Sequence, residues 1–170
     1  MKLAPRALPE LLAGRRIASV TGTNGKTTTT HFLTAAVRAE TPDGQRSVVT
    51  NADGANLHHG IVSALGQAPD ATIAVLETDE RVVADVVAMG SPEVLVLLNF
   101  SRDQLDRNHE LTFLGRNWRA ALEKAAEHGP TVVANACDPL IVWVCQKARH
   151  VIWVDTKPRW TADATLCPNC

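Results

Sequence analysis

The stretch RIASVTGTNGKTT, residues 16–28, joins an apolar run to a loop that carries two glycines, a lysine and three threonines. Residues 16–21 are mostly aliphatic or β-branched and predict a buried strand, and residues 26–39 predict a helix directly after the loop. Backbone N–H groups at a helix N-terminus attract anions, so the order strand, glycine loop and helix is typical of phosphate-binding sites. The stretch therefore predicts an α/β fold with a nucleotide site.

The residue types in this loop match the tasks of binding a nucleotide with Mg²⁺. The glycines let backbone N–H groups turn toward phosphate oxygens, Lys26 can neutralise the β- and γ-phosphates, and the Thr27 hydroxyl can ligate magnesium. The general phosphate-loop pattern, Gly-x-x-x-x-Gly-Lys-Ser/Thr, has its first glycine where this chain has Val20. The loop is therefore of the shorter Gly-x-x-Gly-Lys-Thr type. The alternative is a plain glycine turn capped by threonines. The residues expected to contact ATP are Gly22, Thr23, Asn24, Gly25, Lys26, Thr27 and Thr28.

The rest of the chain alternates apolar runs with helix-like segments. Because the runs are continuously apolar, a mostly parallel sheet with flanking helices is favoured, that is, an α/β phosphate-loop fold. The clearest helix is expected at 110–128, where apolar residues lie on one face and Gly129-Pro130 follows. Further strands are expected at 47–50, 71–77, 93–99, 131–135 and 150–155, and further helices at 80–89 and 139–147.

Length and charge limit the class of protein. The chain has 170 residues, which suits one nucleotide-binding domain, and a formal net charge of -1 without a basic block gives no sign of nucleic-acid binding. Charged residues interrupt the first twenty positions, so we expect neither a signal peptide nor a membrane span, and a cytoplasmic protein.

The segment TGTNGKTTT, residues 21–29, resembles the loop of the Mur ligase and folylpolyglutamate synthase superfamily. In the central domain of that family a Glu-x-Asp-Glu segment closes a strand, and Glu77-Thr78-Asp79-Glu80 matches it here. The resemblance implies that Glu77 is a magnesium carboxylate, and the end of a parallel strand does face the crevice where nucleotides bind. Alternatively, the three residues after Glu77 only cap the next helix.

Two polar segments indicate one branch of the family. Residues 99–107, NFSRDQLDR, resemble the family's Asn-x-x-x-Asp-His-Leu-Asp-Arg segment, with Gln104 where most members have a metal-binding histidine. Gln104 and the segment NADGAN, residues 51–56, are similar to the MurT type. A carbamylated lysine of many members would fall on Arg119, which cannot take that part because its guanidinium stays protonated. The resemblance therefore supplies no ligands for a second metal at these positions.

Residues 135–139, NACDP, resemble a segment in which the asparagine contacts adenine, and Asn135 takes that role by resemblance. The alternative is that Asn135 and Asp138 only cap the helix that begins at Pro139. Three tryptophans, Trp143, Trp153 and Trp160, are expected in packing roles. The histidines show no metal-ligand spacing and are expected to be surface or packing residues: His31, His58, His59, His109, His128 and His150.

The last four residues are CPNC, and Cys167 and Cys170 have the spacing with which two thiolates hold one zinc ion. They form only half of a tetrahedral site. The MurT resemblance implies a zinc ribbon inserted near this point, whose second cysteine pair would follow residue 170. We expect Cys137 and Cys145 to be buried thiols instead. A redox role for the terminal pair is the weaker alternative, because a thioredoxin-like setting is missing.

By resemblance, residues 1–155 form an ATP-binding Mur ligase central domain, and 156–170 begin an incomplete zinc ribbon, with the C-terminal ligase domain absent. The implied activity is ATP-dependent activation of the D-glutamate α-carboxylate of lipid II for amidation to D-isoglutamine in peptidoglycan synthesis. ATP and Mg²⁺ are the implied cofactors, with Zn²⁺ if the ribbon were complete. The implied partner is a GatD-like glutamine amidotransferase. The implied place of action of the protein is the inner face of the cell membrane.

Two other functions remain open for this sequence. One is another Mur-type amino-acid ligase or a folylpolyglutamate synthase, against which Gln104 and the terminal cysteine pair argue. The other is an ATP-binding fragment or interaction module without catalysis. Mur-type ligases close a C-terminal domain over the nucleotide, so we expect these 170 residues to bind ATP without completing ligation alone.

Overall fold

Parallel strands in one sheet form the centre of the molecule. The structure is a computed structural model that describes residues 6–100, 108–125 and 127–156. Within these ranges the strands are Arg16–Thr21 (β1), Val48–Thr50 (β2), Ile73–Glu77 (β3), Val94–Leu97 (β4), Thr131–Asn135 (β5) and His150–Val154 (β6). The helices are Ala7–Leu12 (α1), Lys26–Glu40 (α2), Gly44–Ser47 (α3), His58–Gln67 (α4), Val83–Gly90 (α5), Asn108–Lys124 (α6) and Pro139–Cys145 (α7).

The strand order is β2-β3-β1-β4-β5-β6, and every neighbouring pair is parallel. All six strands therefore end at the same edge of the sheet, which we call the carboxyl edge. In the register, Val20 of β1 lies beside Glu77 of β3, and Thr21 lies beside Leu97 of β4. The chain continues from β1 toward β2 and β3 on one side and later adds β4 on the other, so β1 is the switch point where α/β sheets open a binding crevice.

One face of the sheet carries the hydrophobic core. Alternate strand residues such as Ile17, Leu76 and Leu95 point into two buried clusters that α1, α4, α5, α6 and α7 complete. Trp118 of α6 is 1% exposed and packs on Phe100, with 4.3 Å between the ring centroids. Burial of side chains of this size stabilises the fold by about 1.5–3 kcal/mol each.

The opposite face is covered by α2, which contacts β1, β2 and β3. Beyond α2, the side chains of β4, β5 and β6 on this face are only partly covered. We call the group Val96, Val133, Ile152 and Val154 the open face; Ile152 is 56% and Val154 45% exposed. Parallel sheets are usually buried on both faces, so the open face is an apolar surface with unusual access to solvent.

The structure confirms the predicted α/β class, and all six predicted strands are present. The predicted helix 110–128 begins near the expected place but ends at Lys124, because the chain turns there and His128 N–H donates to the carbonyl of Ala125. Helices α1, α3 and α4 were not predicted. They are six, four and ten residues long, which is too short to give a clear apolar period.

Two predictions about individual side chains are wrong. Trp153 lies on the edge strand β6 and is 47% exposed, whereas Trp143 is buried as expected. Cys137 is only partly buried, because it sits in the loop after β5, where its Sγ donates to Asp155 Oδ1 at 3.2 Å. Cys145 is buried in α7 as predicted, and burial raises the pKa of its thiol to about 12. Trp160 lies outside the described residues.

Candidate nucleotide-binding site

The loop after β1 is pressed against the end of β4. A Cβ added at Gly22, which has φ 140°, would lie 2.8 Å from Leu98 Cβ and 2.9 Å from the Asn99 backbone nitrogen. Only glycine fits such a close approach at this backbone angle. The loop is further tied to Asn99, whose carbonyl accepts from Thr23 N–H at 2.9 Å.

The Asn99 side chain holds the next residue from both sides. Its Oδ1 accepts from Asn24 N–H at 2.9 Å, and its Nδ2 donates to the Asn24 carbonyl at 3.0 Å. Because the side-chain amide replaces a strand-like pair of backbone bonds, the conformation of the loop is fixed by the end of β4.

Helix α2 begins immediately after the loop, with Gly25 as its left-handed N-cap at φ 84°. The first bond of the helix runs from Thr29 N–H to the Gly25 carbonyl at 3.0 Å. The N–H groups of Lys26, Thr27 and Thr28 therefore have no acceptor within the helix, and both threonine side chains are exposed. This first turn is a suitable place for phosphate oxygens.

Lys26 folds back over the loop. Its Nζ donates to the Gly22 carbonyl at 2.6 Å and to the Thr23 carbonyl at 3.2 Å, and it lies 3.4 Å from Glu80 Oε1. The side chains of Lys26 and Glu80 are 14% and 17% exposed, so the pair is largely shielded from water. The structure thus places the lysine at the carboxyl edge, directly over the predicted phosphate loop.

Glu77 ends β3 beside β1 and is 5% exposed. Asn51, which follows β2, accepts from Glu77 N–H through Oδ1 at 2.8 Å and donates from Nδ2 to the Glu77 carbonyl at 2.9 Å. Asn56 Nδ2 donates to Glu77 Oε1 at 3.1 Å. The loop 51–56 therefore fixes both the backbone and the carboxylate of Glu77.

The residues after Glu77 form a tight turn that leads to α5. Thr78 is buried and its Oγ1 shares a hydrogen bond of 2.7 Å with Ser19 Oγ. Burial alone would raise the pKa of Asp79, but hydrogen bonds from Arg81 and the charge of Lys26 outweigh it, and the pKa lies below its ordinary value. The capping alternative is wrong, because α5 has Val82 as its N-cap and no side-chain cap bond. Asp79 Oδ1 instead accepts from Arg81 N–H at 3.0 Å within the turn.

Asn135 and Asp138 serve the loops around the end of β5. Asn135 Nδ2 donates to the Leu98 carbonyl at 2.8 Å, and Asn135 Oδ1 accepts from Cys137 N–H at 2.9 Å. Asp138 caps α7 by accepting from the N–H groups of Leu140 and Ile141, as the capping alternative predicted. Contact of Asn135 with adenine stays a prediction.

Several predicted site residues lie outside the described residues, namely Gln104 with the rest of 101–107, and Cys167 and Cys170. In the part of the chain that the structure describes, no three His, Cys, Asp or Glu side chains come together as a metal site. Zinc binding therefore stays a prediction.

Arg119 packs on the ring of Trp143, with its Cζ 5.0 Å from the ring centroid, and donates to the Trp143 carbonyl.

The residues present fit Mg²⁺ together with a nucleotide. Magnesium is usually held by one or two protein oxygens plus phosphate oxygens. The Thr27 hydroxyl at the start of α2 and the Glu77 carboxylate at the end of β3 offer two oxygens of the required kind. Phosphates would approach the same edge, where Gly22 leaves no side chain in the way.

Four residues that support this site were not assigned these contacts from the sequence. Asn51 and Asn56 hold Glu77, Asn99 holds the loop, and Trp118 donates its indole N–H to the Glu80 carbonyl at 2.8 Å. An asparagine directly after an apolar strand was the available signal for Asn51 and Asn99. No sequence signal distinguishes Trp118 from an ordinary core residue.

This geometry defines a parallel α/β domain with a glycine loop between β1 and α2, and residues 20–159 match the family Mur ligase middle domain. The chain belongs to that family. Over 163 residues, 91% of this chain, it is 29% identical to "Lipid II isoglutaminyl synthase (glutamine-hydrolyzing) subunit MurT" of Staphylococcus aureus strain COL. The protein of the same name from Streptococcus pneumoniae strain R6 is 36% identical over 137 residues, 78% of this chain.

The matched regions are parts of longer proteins. They make up 36% of the S. aureus protein and 29% of the S. pneumoniae protein, so the chain spans about a third of the length of these relatives. A solved UDP-N-acetylmuramoyl-L-alanyl-D-glutamate–2,6-diaminopimelate ligase has a TM-score of 0.61 at 22% identity, with 85% of this chain and 32% of that chain covered. This likeness supports the fold. None of the described helices is long and apolar enough to cross a membrane.

Proposed function

We propose that the chain is the ATP- and magnesium-binding part of a Mur-type ligase that forms an amide bond from a carboxylate and an amine. The observation that carries the proposal is that two groups lie at the carboxyl edge: Lys26, which follows the glycine loop after β1, and Glu77, which ends the neighbouring strand β3. A cation and a buried carboxylate beside a glycine loop suit nucleotide phosphates and their metal.

The proposed particular reaction is that of the MurT type, in which the α-carboxylate of D-glutamate in lipid II is activated as an acyl phosphate and amidated to D-isoglutamine. The match to two MurT subunits and the residues Gln104, Cys167 and Cys170 support this choice. A GatD-like glutamine amidotransferase would supply the ammonia. The words "glutamine-hydrolyzing" in the name of these relatives support such a partner.

In this proposal each residue of the site has a defined role. The N–H groups at the start of α2 bind phosphate oxygens, and Lys26 neutralises charge that builds up on the transferred phosphoryl group. Thr27 and Glu77 would hold magnesium, which when bound neutralises phosphate charge. Asn51 and Asn56 keep the Glu77 carboxylate in one orientation.

A binding measurement tests the nucleotide site. Lys26→Ala should weaken Mg-ATP binding by at least about tenfold, since charge-assisted hydrogen bonds of this kind contribute about 1.5–3 kcal/mol. Lys147→Ala is the matched control, because Lys147 pairs with Glu123 on the surface and should leave affinity unchanged. Isothermal titration calorimetry of the three proteins decides the matter. Equal affinity for wild type and Lys26→Ala contradicts the proposed site.

A turnover measurement tests how far this chain goes alone. The 170 residues, mixed with lipid II, ATP, glutamine and a GatD-like amidotransferase, are expected to bind ATP but not to produce D-isoglutamine. Mass spectrometry of the stem peptide detects the change from acid to amide. Steady amidation would show that these residues contain all the groups the reaction needs.

A further inference from the structure

The ammonium group of Lys26 has a full set of acceptors. An ammonium has three N–H donors, and the structure provides three oxygens for them: the carbonyls of Gly22 and Thr23, and Glu80 Oε1. A phosphate that binds in the loop must take one of these places. The contact with Glu80 is the longest of the three, at 3.4 Å against 2.6 Å and 3.2 Å, so it is the one that exchanges most easily.

The position of Glu80 is fixed by its backbone. The indole N–H of Trp118 donates to the Glu80 carbonyl, and the neighbouring Asp79 is held from both sides, by Arg81 and by the carbonyl of Asn56, to which Asp79 N–H donates. Trp118 is 1% exposed, so this anchor belongs to the rigid core. The backbone of Glu80 is therefore fixed near Lys26, so that release of the lysine requires only a rotation of the Glu80 side chain.

The charge of Glu80 conflicts with the use of this loop. A carboxylate repels nucleotide phosphates, and the repulsion is strong at a site that is shielded from water. Without Glu80 the shielded ammonium would keep its two carbonyl acceptors but would have no opposite charge beside it. One carboxylate that pairs with the lysine and then leaves it satisfies both conditions.

We propose that Glu80 is an exchangeable counter-ion of Lys26 that the phosphates of the nucleotide displace. This inference rests on the proposed function, since it assumes that the loop binds phosphates. Glu80 therefore lowers the affinity of the loop for phosphates, and every binding event includes the rupture of the pair between Lys26 and Glu80. The alternative role for this carboxylate, a magnesium ligand, predicts the opposite effect of its removal.

The test measures nucleotide affinity without metal. Glu80→Gln and Glu80→Ala should each bind ATP and ADP in EDTA more tightly than wild type, by about tenfold, which corresponds to about 1.4 kcal/mol. The gain should shrink as salt is raised, because added ions screen the repulsion. Asp53→Asn is the matched control: it removes one negative charge at the same edge, where Asp53 lies 3.4 Å from His31, and should change affinity less than twofold.

Each outcome of the titrations has a defined meaning. Equal or weaker metal-free binding by both Glu80 variants overturns the counter-ion role, and weaker binding confined to Mg²⁺ assigns Glu80 to the metal instead. If wild type binds no nucleotide at all, the proposed function is contradicted, and the counter-ion role is contradicted with it. If Lys26→Ala loses affinity while the Glu80 variants match wild type, the nucleotide site stands and only the counter-ion role is lost. Thermal unfolding of each variant shows whether it is folded.

Discussion

Asn51 and Asn99 form the same kind of contact at two places on the carboxyl edge. Asn51 follows β2 directly, and Asn99 follows β4 after one residue. Each uses both the oxygen and the nitrogen of its side-chain amide to hold the backbone of another residue, Glu77 or Asn24. A serine could not make this pair of bonds, and an aspartate has no N–H to donate. The positions of the carboxylate and of the loop therefore depend on two amides that touch neither phosphate nor metal in the proposed mechanism.

Gly22 offers a sharp test at the level of one atom. Gly22→Ala places a Cβ 2.8 Å from Leu98 Cβ at a backbone angle that alanine avoids, so the loop must shift away from β4. We expect loss of Mg-ATP binding and a decrease of about 1–3 kcal/mol in the free energy of unfolding. Urea unfolding and calorimetry measure the two effects.

The matched control for this variant is Gly66→Ala in α4. A Cβ at Gly66 meets no atom within 4 Å, and alanine is the better helix former. This change should leave nucleotide binding intact and raise the free energy of unfolding by up to about 1 kcal/mol. Similar behaviour of the two variants would mean that the close approach at Gly22 does not constrain the loop.

Sequence reasoning at this scale reaches residues whose chemistry is tied to their neighbours along the chain. Lys26 is predicted to bind phosphate because a loop, a lysine and a helix follow one another, and that role stays a prediction. The bond from Asn56 to Glu77 spans 21 positions, and the contact of Lys26 with Glu80 spans 54. Such partners depend on strand order, which the local pattern does not contain.

At the level of elements, the buried residues of α2 are threonines. Thr30 and Thr34 are both buried beneath it. Thr30 Oγ1 donates to the Lys26 carbonyl at 2.8 Å, whereas Thr34 Oγ1 has no partner within the described part of the chain. A buried hydroxyl without a partner reduces stability, and a bonded one contributes to it.

The two threonines should therefore respond differently to the same substitution. Thr34→Val removes an unpaired polar atom without changing the volume, so the free energy of unfolding should rise or stay constant, by 0 to about 1 kcal/mol. Thr30→Val removes a hydrogen bond and should lower it by about 1 kcal/mol. Chemical denaturation of both variants gives the comparison. A larger loss at Thr34 than at Thr30 would contradict the assignment of the unpaired hydroxyl.

The elements themselves were predicted unevenly. All strands were found because each is a run of β-branched and aliphatic residues between turn residues. The short helices α1 and α4 were missed since their stability comes from packing against each other and the sheet, not from a long amphipathic pattern. The end of α6 was placed too late because Gly129-Pro130 is a strong stop signal, but the helix had already turned at Ala125.

For the whole molecule, the uneven covering of the sheet is the main feature. Among residues 6–100, 108–125 and 127–156, five helices lie on the core face, while the open face leaves apolar side chains of the edge strand β6 accessible. An exposed apolar edge strand promotes association between molecules. The chain should therefore associate at high concentration through β6.

Ile152→Lys tests this expectation. The lysine adds charge to the open face without entering the core, so light scattering at high protein concentration should fall while the midpoint of thermal unfolding stays constant. Val151→Lys is the control, because the neighbouring residue packs against the core cluster and its replacement should destabilise the fold. Unchanged scattering by Ile152→Lys would show that β6 takes no part in association.

The clamp of Asn99 on Asn24 also affects the biosynthesis of the protein. The two residues are 75 positions apart, and β1 gains its neighbours β3 and β4 only when those later segments exist. At about 5–20 residues per second, a ribosome needs about 4–15 s to travel from one asparagine to the other. During that interval the glycine loop has been translated but lacks the anchor that gives it its shape.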